Sequence, residues 1–231
     1  MLTPRFAMPP PTPPTLLAPA GTKPRLRGVL HHYAFLVSLI SGAALIVVAP
    51  TRLAGLVAAV YGASLSALLG VSALYHRVTW SQRARRWMAR LDHSMISVLI
   101  AGTYTPFGVF ALSGTFAVAL LAVMWTGALA NILLHVLWID APKWLSAVCY
   151  VVLGWIGVVA VPDLTAHAGW TATALLMAGG ILYSAGALVY ALRRPDPAPA
   201  VFGYHEVFHA LVVVAACVHY AAVAFVLLPR G

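Results

Sequence analysis

Apolar residues run along this chain in blocks, not in alternation. Residues 151–161 (VVLGWIGVVAV) and 211–218 (LVVVAACV) show the pattern. A barrel strand with one face to lipid would alternate apolar and polar positions, and these do not. A block that is apolar all round is a helix buried in protein or lipid, and a crossing takes ~20 residues. Seven blocks are long enough: 30–49, 53–76, 91–112, 114–138, 144–161, 169–192 and 202–228. Pro, Gly or charge marks each break, at Pro50 and Arg52, across 77–90, at Ser113 and Gly114, at Pro142 and Lys143, at Pro162 and Asp163, and across 193–199. These residues stop helices where water begins. The predicted fold is all-α, a polytopic membrane protein built as a seven-transmembrane-helix bundle.

Composition agrees with the pattern. Of 231 residues, 62% are hydrophobic and 8% charged, too little polar surface for a soluble domain. The net charge of +9 invites a nucleic-acid partner, but its placement points to topology instead. With the N-terminus cytoplasmic, the alternating loops put twelve Lys and Arg inside; only Arg52 and Arg230 fall outside. Such a bias orients helices across the cell inner (plasma) membrane, with the C-terminus outside and no nucleic acid bound. Residues 1–28 differ: Pro-rich, ending in Lys23, Arg25 and Arg27, without the apolar core of a signal peptide. They are expected to form a disordered basic arm ahead of a membrane domain over 29–231. Cys149 and Cys217 lie in apolar blocks and behave as small hydrophobes.

Ionisable groups inside spans are costly and mark function. Residues 205–209 read HEVFH, the HExxH string in which two His one turn apart hold zinc and the Glu acts as base. Topology places His205 and His209 near the cytoplasmic end of the seventh span. It brings His76, at the end of the second, and Asp92, at the start of the third, to the same depth. Ser72 lies one turn before His76, on its face. Three imidazoles with an open fourth position make a catalytic zinc site, and a carboxylate beside it handles the proton. The residues alone leave a second reading open, in which the His pair only with waters and carbonyls. His219 shares the face of His205 but lies ~20 Å further along the helix, where packing or a cavity wall suits it. Asn131 and His135 suit interhelical hydrogen bonding. His31 and His32 are read as unremarkable interface residues. Glu206 points ~100° away from His205, which suits a supporting or packing role.

SALYHR, LDHSMISVLIAGTYTPF and FGYHEVFHALVVVAACVHY, in that order, resemble the hemolysin III proteins. These are the bacterial branch of the progestin and adipoQ receptor family, which includes the adiponectin receptors. The resemblance runs from about residue 28 to 228. It implies a cytoplasmic N-terminus and zinc held by His76, His205 and His209. It also implies that Asp92 contacts the metal through water, beside Ser72. Adiponectin receptors carry Gln where this chain has Glu206, which implies that the position is no obligatory base. The family also resembles alkaline ceramidases. That implies a zinc-dependent hydrolase of membrane lipid amides, with Asp92 as base, Ser72 as oxyanion donor and a role in lipid homeostasis. Two alternatives stay open, a pore and a sensor with structural zinc. An intramembrane peptidase would need a later Asp ligand, and none follows His209. A retinal protein would need a Lys in the last span, and the two Lys are Lys23 and Lys143.

Overall fold

The structure, a computed structural model, describes residues 23–138 and 143–231. Seven α-helices carry it: α1 (Val29–Val47), α2 (Arg52–Arg77), α3 (Gln82–Ala111), α4 (Gly114–Leu137), α5 (Lys143–Trp155), α6 (Val161–Leu192) and α7 (Tyr204–Ala222). No β-strand occurs among the described residues. Six stretches are long and apolar enough to cross a membrane, one of them the 49-residue run Trp144–Leu192. Side chains on the rim agree: Ile40, Val47, Leu137 and Phe225 are 75–83% exposed, as lipid-facing side chains are.

The long run is not one rod. A 3₁₀ turn, Ile156–Ala160, joins α5 to α6, and Gly169 breaks α6 with φ 82° and ψ 171°. Only glycine adopts that backbone without strain. The chain doubles back there: the Thr165 and Thr173 hydroxyls meet at 3.0 Å, and the Trp155 indole donates to Ser184 Oγ at 2.9 Å. The break expected at Pro162 and Asp163 therefore lies further on. Pro162 sits in the first turn of α6, where a missing N–H costs nothing. The loop expected over 77–90 is also shorter. Ser81 caps α3, its Oγ accepting from Ala84 N–H at 3.3 Å, so helix begins at Gln82.

Neighbouring helices pack in chain order: α1 on α2, α2 on α3, α3 on α4, α6 on α7. One apolar core joins α1, α2, α3, α6 and α7; a second joins α3, α4 and α5. Small residues set the spacing, as helix contacts in lipid require. A Cβ on Gly102 would lie 2.5 Å from Ser64 Cβ, at the α2–α3 contact. Gly102→Ala is therefore expected to cost about 1–3 kcal/mol. A thermal melt in detergent should show the drop, and an unchanged melting point would mean that the two helices separate freely.

The two ends of the bundle are distinct. At one, Gly28 abuts His76, and Arg25 and Leu26 donate their N–H groups to Ala200 and Val201 carbonyls at 3.1 and 3.0 Å. At the other, Gly231 abuts Phe110 and Ala54, and the Arg230 guanidinium donates to the carbonyls of His167 and Ala168. Since α2 runs from Ala54 to His76, the described chain starts and finishes at opposite ends. The arm expected over 1–28 lies outside the described residues over 1–22; residues 24–28 are held in a hydrogen-bonded turn.

Candidate metal centre

Two helix ends carry the three histidines. His76 stands in the last turn of α2, and His205 and His209 in the first two turns of α7. Their rings converge, with centroids 4.7 Å apart for His76 and His205, 4.6 Å for His205 and His209, and 5.1 Å for His76 and His209. One nitrogen from each lies within 4.8 Å of the others, close enough to hold a metal ion. His76 Nε2 and His205 Nε2 are 3.3 Å apart. His76 and His209 are buried, and His205 is half-buried at the wall of the cavity.

Asp92 enters from α3. Its Oδ2 is 3.9 Å from His76 Nε2, too far for a direct hydrogen bond and a distance that a water bridges. Ser72, one turn before His76, stands beside the Asp92 carboxylate on the same cavity wall. Ser72, His76, Asp92, His205 and His209 all line one cavity of about 760 Å³ between the helices. That volume lies within the ~300–1,000 Å³ range of small-molecule sites.

Glu206 faces away from the histidines. It is 1% exposed, pairs with Arg27 Nε, and its Oε2 accepts the Gly203 N–H at 2.8 Å. One carboxylate thus caps the first turn of α7 and ties it to the chain ahead of α1, holding the turn that carries both His. Glu206→Ala is expected to leave Arg27 part-buried without its counter-charge and to cost about 3–5 kcal/mol. Glu206→Gln keeps the cap acceptor and should keep the metal. Metal analysis of both variants checks this, and loss of metal in Glu206→Gln alone would revive a direct role.

His31 is a correction. It was expected to be an unremarkable interface residue, yet it is buried and stacks on His209 at 3.8 Å with rings 3° from parallel. Its position two residues into α1, at the same end as His76, was the available signal. His135 stays apart from the three His. Its Nδ1 donates to the Asn131 carbonyl at 2.8 Å, and its Nε2 meets the Tyr150 hydroxyl of α5 at 2.6 Å, the interhelical bond expected of it. Tyr150 also lies 3.0 Å from the His93 carbonyl, a contact that no motif announced. His219 lies deeper in the same cavity, as its spacing predicts.

The chain that carries this site matches a family. The model for haemolysin-III-related proteins matches residues 20–220. The chain belongs to that family. Among curated haemolysin-III relatives, Hemolysin-3 of Bacillus cereus is 34% identical over 172 residues, 74% of this chain and 75% of its own. The Hemolysin-3 homolog of Bacillus subtilis is 34% identical over 154 residues, 67% of this chain and 69% of its own. A wider kinship appears in the heptahelical transmembrane protein ADIPOR2 of rice, 34% identical over 175 residues, 67% of this chain and 75% of its own. His76, His205 and His209 thus stand on the multi-pass membrane fold of a haemolysin-III-related protein.

Proposed function

We propose that this protein is a zinc-dependent hydrolase of membrane lipid amides, acting in lipid homeostasis. The observation that carries the reading is the convergence of His76, His205 and His209 on the wall of a cavity that also holds Asp92 and Ser72. The donor set suits zinc. Two imidazole nitrogens each ~2.05 Å from a tetrahedral centre lie about 3.3–3.4 Å apart. His76 Nε2 and His205 Nε2 are 3.3 Å apart. Zinc, when bound, supplies Lewis-acid chemistry and activates water.

The side chains do the rest. Asp92, 3.9 Å from a ligand nitrogen, is placed to take a proton from the attacking water and return it to the leaving amine. Ser72, beside that carboxylate on the cavity wall, can orient it and serve a developing oxyanion. The cavity's largely apolar wall suits a lipid guest, and a low local dielectric there would strengthen each of these interactions.

Seven crossings with a cytoplasmic N-terminus in the inner membrane complete the proposal. Three things support it: the reversal at Gly169, the placement of Gly28 and Arg230 at opposite ends, and the clustering of positive charge at the Gly28 end. There Lys23 is held below its usual pKa by desolvation and then by Arg27, Arg85 and Arg77. The metal centre would then face the cytoplasmic leaflet.

A pore is disfavoured by the cavity lining, where the acid and the metal-ligating His gather at one end. The test is release of free fatty acid from an N-acyl lipid in mixed micelles by the purified protein. Chelation is expected to lower the rate at least ~100-fold, with zinc restoring it. Turnover unaffected by chelation would remove zinc from the chemistry, and no turnover with zinc bound would leave the sensor reading in place.

A further inference from the structure

The cavity does not end at the three histidines. It continues toward Leu176, Gly180, Tyr183 and His219. His219 follows His209 by ten residues on α7, which puts it ~15 Å deeper. It is 6% exposed, and its ring fills a space that only glycine leaves, since a Cβ on Gly179 would meet Nε2 at 2.1 Å.

The hydrogen bonds assign the proton. His219 Nε2 lies 3.1 Å from the Leu176 carbonyl, which only accepts, so Nε2 carries the hydrogen. In the neutral ring, the form a membrane interior favours, Nδ1 then offers a lone pair. That atom has no protein partner, and neither does the buried Tyr183 hydroxyl, whose ring centroid is 5.6 Å from that of His219. A bare acceptor and a bare donor on neighbouring rings of one cavity wall each carry a desolvation cost that a guest can remove.

The guest's chemistry follows. A carbonyl would satisfy Tyr183 alone, and an N–H group would satisfy His219 alone. A hydroxyl donates and accepts, and so satisfies both. We infer that this end of the cavity is a subsite for a hydroxyl carried part-way along a lipid acyl chain, an assignment that rests on the lipid reading above. An extended chain gains ~1.2 Å per bond, from ~3.5 Å per three-bond residue. A group held at the histidines therefore reaches the subsite through about twelve carbons.

The experiment uses zinc-replete full-length protein in detergent and the displacement of a fluorescent fatty acid, cis-parinaric acid. Stearic acid and 12-hydroxystearic acid are the two competitors. The hydroxylated chain is expected to bind about tenfold tighter to the parent. Tyr183→Phe removes the donor, and Gly179→Ala drives the His219 ring from its place without touching a polar atom. Both should reduce the preference below about twofold while stearic acid still binds. Equal affinity in the parent would mean that water alone fills the pair, and a preference surviving in both variants would place the selectivity elsewhere; either overturns the subsite. If stearic acid fails to displace the probe at all, the lipid site itself is wrong and the subsite falls with it.

Discussion

The double variant His205→Ala/His209→Ala is expected to purify with less than about a tenth of the parent's zinc, against about one zinc per chain in the parent. Two of the three converging nitrogens disappear, and no other His, Cys or carboxylate group among the described residues offers a comparable cluster. Plasma mass spectrometry on detergent-purified protein gives the number directly. The fold should survive, because α7 keeps its cap through Glu206 and its apolar face in the main core. Helical circular dichroism on the same samples separates metal loss from unfolding. Chelation should lower the parent's melting temperature and leave the double variant's unchanged, since metal bound only to the native state stabilises it by mass action. Parent and variant with equal zinc would remove the site.

Asp92→Asn is expected to retain zinc and lose catalysis by about 10²–10⁴-fold, the span that a positioned acid–base group contributes. Asparagine keeps the size of the side chain, so packing is held nearly constant. What disappears is the ability to take and return a proton. Ser72→Ala is expected to cost less, about tenfold, because it perturbs the orientation of Asp92 and leaves the carboxylate in place. Fatty acid release and zinc content measured side by side decide the matter. Unchanged turnover in Asp92→Asn would assign that carboxylate a structural role. Lost zinc would make Asp92 part of the metal's support instead.

Much of this was legible in residue order because the relevant geometry is local. His205 and His209 share a face since four residues make about one turn. Depth then followed from counting residues from each helix end, and it put His76 and Asp92 level with them without any knowledge of packing. The same count separated His219 from the other three histidines. His31, two residues into α1, shares that depth and is buried against His209. Local rules also misplaced one boundary. Proline and aspartate at 162–163 read as a loop, yet both fit the first turn of α6, and the reversal falls at Gly169.

The chain order of apolar blocks, breaks and charges by itself determined a helical membrane protein with two histidines one turn apart near one end. These follow from helix rise, bilayer thickness and the cost of unpaired backbone in lipid, which act on each segment separately. Only the tertiary structure decided which faces meet. It turned Glu206 onto Arg27 and away from the histidines, and stacked His31 on His209. It also set Tyr183 beside His219 at the far end of the cavity. Rotation and register between helices depend on close approaches such as Gly102 to Ser64 and Gly179 to His219. Those contacts join residues 38 and 40 positions apart, and no spacing rule within a single helix contains them.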